Sequence, residues 1–236
     1  MARKINPFHE YEYPPFEGFP ADTLSFLRSL KRNNNRTWFN NNKARYVENV
    51  KFPMETFLYH LRERLLRTIP GLDIDPRKSM YRIYRDIRFS KDKSPYKTHQ
   101  AAAFTFSGGH RNHDPGFYLH IEPGNVFIGG GWWMPDPSKL KILRAALAEG
   151  YPEFRKILAR KKFKSMFGSL EGEKLSRVPR GFEAGHPAQD LLRYKQFLVS
   201  TTIPAERILD KSFLRKAADV FGTMEPFVRY LFSHSR

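Results

Sequence analysis

The sequence predicts an α+β fold: a single domain with a central, mainly antiparallel sheet flanked by N- and C-terminal helices. Three observations carry this. Apolar residues recur at helical spacing early and late in the chain; the middle changes to alternation; and Gly- and Pro-bearing turns separate the neighbouring alternating runs.

Asn6 to Pro20 is rich in proline and aromatics and reads as an extended arm on the body, so the expected division is an arm over residues 1–20 and one domain over residues 21–236. Asp22 or Thr23 is placed to cap a first helix whose face is Leu24, Leu27 and Leu30, ended by the polar run Asn33-Asn34-Asn35. A second helix carries Trp38, Phe39, Asn42 and Tyr46. A third begins near Pro53, a good first-turn residue, with the stripe Met54, Phe57, Leu58, Leu61 and Leu65, and Pro70-Gly71 stops it. Strands are expected at Met80 to Phe89, Ala101 to Phe106, Phe117 to Glu122 and Val126 to Trp132, with turns at Ser107-Gly108-Gly109 and Glu122-Pro123-Gly124-Asn125. Asp136-Pro137 then opens a helix with Leu140, Leu143 and Leu147, and another runs from Pro152 to about Ala159. Gln189 to Phe197 reads as helix and Phe197 to Ile203 as a late strand. Phe213, Leu214, Ala217, Ala218 and Phe221, then Phe227, Val228 and Leu231, close the chain in helix.

Composition bounds the function. A chain of 236 residues buries roughly 70 per cent of its unfolded surface, enough for a core without covalent staples. The absence of Cys excludes disulfides, Cys-ligated zinc and a Cys nucleophile. No apolar run approaches the roughly 20 residues that span a bilayer, so no membrane partner is expected. No apolar signal core follows the opening residues, which points to the cytoplasm. The formal net charge of +17 favours an anionic partner, either a small ligand or nucleic acid. The densest cationic run, Arg160-Lys161-Lys162-Phe163-Lys164, follows a helix and reads first as a solvated helix end, second as a nucleic-acid patch.

Residues 82–97 hold the strongest chemical signal, six cations and two carboxylates among aromatics and isoleucines. On a strand, Tyr81, Ile83, Arg85, Ile87 and Phe89 share one face, so Arg85 is buried and needs a partner. Met80, Arg82, Tyr84, Asp86 and Arg88 share the other, with Asp86 and Arg88 about 6.6 Å apart. The loop that follows adds Asp92, Lys93, Tyr96 and Lys97, with Pro95 stiffening it. Arginines on a rigid strand suit phosphate or carboxylate, because guanidinium is a planar two-pronged donor. The ligand-binding candidates are therefore Arg82, Arg85, Arg88, Asp92, Lys93, Tyr96 and Lys97. Arg82, Arg88, Lys93 and Lys97 clamp the anion, Tyr96 donates a hydrogen bond, and Arg85 supports from behind. A scaffold reading competes, in which these charges only brace the fold.

Phe117 to Glu122 alternates, with Tyr118, His120 and Glu122 on the polar side. If that face meets residues 80–89, His120 or Glu122 stands beside Asp86 and Arg88, and Asp86, His120 and Glu122 become the acid–base candidates. His110-x-x-His113-Asp114 has metal-like spacing but sits in a Gly- and Asn-rich connection without a helical frame, so no metal is assigned, and the cofactor stays open. Gly129-Gly130-Gly131 reads mainly as tight packing or a bulge beside Trp132. Neither a phosphate-loop pattern nor Gly-x-Ser-x-Gly occurs. Asn34, Arg36 and Trp38 are candidates for a pocket wall, and His186 for a cap or lid.

The pattern Arg82-x-x-Arg85-Asp86-x-Arg88-Phe89-x-x-Asp92-Lys93-x-x-Tyr96 resembles the signature of domain-of-unknown-function family 2461, proteins of bacteria and fungi. The resemblance extends to Asn34-x-Arg36-x-Trp38-Phe39, Gly116 to Pro123, Gly129 to Pro135 and His186-Pro187, and so spans nearly the whole chain. It implies one full-length domain and points to the same segment, but assigns no chemistry. The expected function is binding of a small anionic, phosphate-bearing ligand in a cationic pocket floored by the sheet, with catalysis left open. The alternatives are a nucleic-acid-binding protein and an interaction protein. The oligomeric state is not legible.

Overall fold

The protein's structure, a computed structural model, describes residues 13–236. The part of the expected arm that falls on residues 1–12 lies outside the described residues. Over residues 13–20 the chain has no regular secondary structure and buries Tyr13, Phe16 and Phe19, with Phe16 and Phe19 both in ring contact with Phe57.

Helix α1 (Ala21–Arg32) buries Leu24, Leu27 and Leu30 as the spacing predicts. Its cap is not Asp22 or Thr23: the helix starts behind Pro20, and the Thr23 hydroxyl instead donates to the Asn49 carbonyl across the bundle. The expected second helix is two short ones, α2 (Arg36–Asn41) and α3 (Lys43–Tyr46), and a π-turn over Val47–Lys51 leads into α4 (Phe52–Leu65). All five residues of the α4 stripe are buried.

The sheet is a five-stranded antiparallel meander in the order β1 (Leu72–Asp73), β2 (Gln100–Phe106), β3 (Gly116–Glu122), β4 (Asn125–Trp132) and β5 (Phe197–Ile203). Pro123 and Gly124 turn β3 into β4, and Gly124 takes a φ of +83°, open to glycine without steric cost. Met80 to Phe89 is not a regular strand. Met80 bridges Ala102, after which the chain leaves the sheet and folds on itself, with a Tyr84–Tyr96 bridge and bonds from Arg85 N–H to the Pro95 carbonyl and Lys97 N–H to the Ile83 carbonyl. Pro95 has no N–H to extend that ladder, and a turn around Asp92 interrupts it. The predicted faces break accordingly: Ile83 is buried, but Phe89 is 95% exposed.

After the sheet, Asp136 caps α5 (Pro137–Ala159) by accepting from the Ser138 and Lys139 N–H groups. α5 is one helix with Pro152 inside it, not two. The basic run belongs to its own helix, α6 (Lys161–Phe167), where Lys162 pairs with Asp219 and Phe163 is buried. Of Gln189 to Phe197 only α7 (Gln189–Leu192) is helical. The chain ends in α8 (Ser212–Ser233), which packs on β3 and β4 and holds Phe221 against Phe104 and Phe117. Among the described residues no helix is long and apolar enough to cross a membrane.

Helices thus cover one face of the sheet, where Phe104, Phe117, Leu119, Ile121, Val126 and Ile128 are at most 1% exposed. Gly130 lies on this side: a Cβ there would meet Met224 Sδ at 2.3 Å. The opposite face is where the candidate site forms.

Candidate functional site

Strand pairing aligns side chains of opposite face into rows. One row runs Ala103, Tyr118, Gly129 and Ser200 across four strands; the next runs Ala101, His120, Phe127 and Thr202. Small residues at the centre leave a depression that larger ones would fill. The result is a hollow of about 770 Å³ whose lining includes Tyr118, His120, Phe127, Gly129, Gly131, Ser200 and Thr202. Gly131 makes the floor possible, since its φ is +121° and a Cβ would lie 1.9 Å from the Phe197 carbonyl oxygen. The Gly run therefore serves both faces, with Gly130 against α8 and Gly129 and Gly131 toward the hollow.

On the β2 side the wall is Tyr81, Lys97 and Arg111. Tyr81 is flanked by both cations, with Lys97 Nζ 5.2 Å and the Arg111 guanidinium carbon 4.8 Å from its ring centre. Arg111 also donates to the Met80 carbonyl, and the Tyr81 hydroxyl donates to Asn112. Burial, then the nearby charges of Arg82 and Arg111, pull the Lys97 ammonium below its ordinary value. Among the described residues neither Lys97 nor Arg111 is ion-paired to a carboxylate. Across the hollow Glu171 accepts from Ser200, while Asp114, in the same β2–β3 connection as Arg111, is held by Lys139. Trp133 and Met134, 64% and 67% exposed, stand at the rim beyond β4.

At the other end of β3 a second cluster forms. His120 and Glu122, two apart on the strand, point the same way, and the His99 ring lies 4.4 Å from the His120 ring. The Tyr118 hydroxyl is 3.1 Å from His120 Nδ1, and His120 Nε2 is 3.5 Å from Glu122 Oε2. The Thr98 hydroxyl donates to Glu122 Oε1 at 2.8 Å. Burial, joined by the neighbouring His120, pushes His99 down to about 4; burial also lowers His120, against the pull of Glu122. Burial opposes ionisation of Glu122, but Thr98 and His120 outweigh it and hold the carboxyl below its ordinary value.

The segment 82–97 is placed differently from the expectation. Of its residues only Lys97 lines the hollow. Asp86 binds Arg88 through two side-chain hydrogen bonds of 3.0 and 2.7 Å, and that contact, with the Arg88 N–H, brings the carboxyl down to about 2. Arg85, a quarter exposed, pairs with Asp92, whose carboxyl is held far below its usual range by the Ser94 hydroxyl, the Ser94 N–H and Arg85. Lys93 donates to the Ile87 carbonyl. Tyr96 is buried with its ring stacked on Phe39 at 4.1 Å, and Arg82 lies outside the lining but near Lys97. Asp86 and Arg88 do not line the hollow that His120 lines, so the expected meeting of the two polar faces is not what the structure brings together.

Asn34 does not line this hollow: its amide donates to the Tyr96 carbonyl and accepts from the Tyr96 N–H, clipping the segment to the helices. His186 accepts from the Ala188 N–H and caps its own turn. His110 and Asp114 close their loop through the His110 N–H. Tyr81, His99 and Arg111 were missed by the sequence reading. The alternation of β2 and β3 held a signal for His99, since pairing Ala101 with His120 sets His99 beside Glu122.

The family model described as "Conserved hypothetical protein (DUF2461)" matches residues 22–230. The chain belongs to this family. No curated protein matches the chain. For this member of DUF2461, Arg85 pairs with Asp92 and Asp86 with Arg88 within the segment 82–97, while the hollow takes from it only Lys97 and draws its other polar groups from neighbouring elements.

Proposed function

We propose that the protein binds a small molecule bearing a phosphate or carboxylate in the hollow on the open face of its sheet. One observation carries this reading: Lys97 and Arg111 flank Tyr81 at the wall of a ligand-sized cavity, with no carboxylate partner among the described residues. A partly desolvated Lys97 beside Arg82 and Arg111 is electrostatically strained, and an anion relieves it. Small floor residues and the rings of Tyr118 and Phe127 leave room for a flat apolar body behind the anionic group. The reading keeps Lys97 from the expected clamp and adds Arg111, with Arg82 outside the lining as a nearby charge. The nucleic-acid alternative rests on net charge and on the basic run Arg160 to Lys164, part of which is consumed in the pair Lys162–Asp219.

The test is calorimetric titration with orthophosphate, phenyl phosphate and adenosine monophosphate at low salt. A charge-assisted hydrogen bond contributes about 1.5–3 kcal/mol, so Lys97→Ala and Arg111→Ala each weaken binding by roughly 10- to 100-fold. Arg88→Ala leaves it unchanged. Equal affinity in wild type and both wall variants, or no saturable binding of any probe, rules the reading out.

A further inference from the structure

We propose that His99, His120 and Glu122 form a binding site for one divalent first-row transition ion such as Zn²⁺, at the edge of the hollow. This goes beyond the anion reading and does not depend on it. The ligand atoms of the three residues all lie within 4.8 Å of one another, close to what a single ion bridges.

The arrangement around them does what the surroundings of a metal centre do. In each of two ligands the atom facing away from the cluster is held by a neighbour and the atom facing in is left for the ion. Tyr118 engages His120 Nδ1, which leaves Nε2 toward Glu122. Thr98 engages Glu122 Oε1, which leaves Oε2 toward His120. Such outer contacts fix ring tautomer and carboxylate rotamer before the ion arrives. The third ligand is unclaimed: among the described residues His99 makes no hydrogen bond through either ring nitrogen. An ordinary His–Glu pair explains His120 and Glu122 but gives no reason for a second half-buried imidazole at 4.4 Å with its nitrogens unused.

The donor set selects the ion class. Two imidazoles and one carboxylate suit Zn²⁺, Fe²⁺, Co²⁺ or Mn²⁺ and lack the all-oxygen shell that Ca²⁺ or Mg²⁺ prefers. Three protein ligands leave at least one position for water or an anion. Because His99 and His120 both line the hollow, that position opens toward it. The ion would there act as a Lewis acid on a ligand oxygen or on water.

The experiment uses the full chain, stripped with chelator, in phosphate-free buffer at neutral pH. Zn²⁺ is titrated by calorimetry and Co²⁺ by its visible absorption. The expected result is one equivalent bound with a submicromolar dissociation constant, weakened at least 100-fold in His99→Ala and in Glu122→Gln. Because His120 is buried against Phe127, those two variants carry the test, and circular dichroism establishes that each is folded. His113→Ala retains the site. No stoichiometric binding by the wild type, or binding that survives in folded His99→Ala and Glu122→Gln, overturns the proposal. Failure of phosphate binding with metal binding intact overturns only the anion reading.

Discussion

Asn34→Ala isolates what anchors the charged segment. The Asn34 amide makes two hydrogen bonds to the Tyr96 backbone, at 2.9 and 3.0 Å, in the manner of a neighbouring strand. Tyr96 is 3% exposed and stacked on Phe39, so its N–H and carbonyl have poor access to water once the amide is gone. Two bonds at a net ~1 kcal/mol each, plus incomplete rehydration of the exposed partners, give a loss of about 2–4 kcal/mol. For a chain of this size each kcal/mol moves the melting temperature by about 2–4 °C, so a fall of roughly 5–15 °C is expected. Urea unfolding followed by circular dichroism measures it, with the midpoint lowered and the slope unchanged. Asn34→Asp keeps the acceptor but sets a carboxylate oxygen against the Tyr96 carbonyl, and is expected to recover none of the loss. A cost under about 1 kcal/mol for Asn34→Ala would refute the clip and return Asn34 to the pocket-wall role.

Among the described residues Thr56 Oγ1, buried on α4, has no hydrogen-bond partner, so the near-isosteric Thr56→Val is expected to stabilise by about 1 kcal/mol, read as a higher urea midpoint. Burial raises the Glu55 carboxyl above its ordinary value, more than Lys51 lowers it. Its contribution is therefore favourable below the unfolded value and is lost as pH rises through the folded one, so Glu55→Gln raises the melting temperature at pH 7 and has no such effect near pH 4. A gain of equal size at both pH values contradicts that assignment. Gly131→Ala combines a left-handed backbone with a Cβ 1.9 Å from a carbonyl oxygen and is expected to cost more than about 3 kcal/mol or to prevent folding. Gly71→Ala, also at positive φ but in open space, is the milder control, and soluble expression and thermal melts compare the two.

The architecture was legible where side-chain period and burial coincide. The α4 stripe, the alternation of Phe117 to Glu122 and the Asp136 cap are each determined by contacts within one element or between sequence neighbours. Met80 to Phe89 misled because its alternation is real while its partner is not a long strand: the chain pairs with its own continuation at Tyr96, past a proline. The site was only half legible. Charge density marked residues 82–97, but density does not distinguish cations that satisfy one another, such as Arg85 with Asp92, from cations left available, such as Lys97. The hollow itself arises from small residues on four different strands, and its existence depends on their register. His99 precedes its strand and shows no pattern of its own, so only the pairing of β2 with β3 brings it to His120.

The meander has a consequence for how the molecule assembles. β2, β3 and β4 pair in succession across the short connections 107–115 and 123–124, whereas β1 lies a longer connection before β2, and β5 must return across more than sixty residues that carry α5, α6 and α7. Until α8, which follows all five strands in the chain, docks on β3 and β4, the rings of Phe104 and Phe117 have no Phe221 to meet. A nascent chain lacking its C-terminal helix would therefore display a sticky aromatic surface, an invitation to chaperones on the ribosome and to aggregation in truncated products.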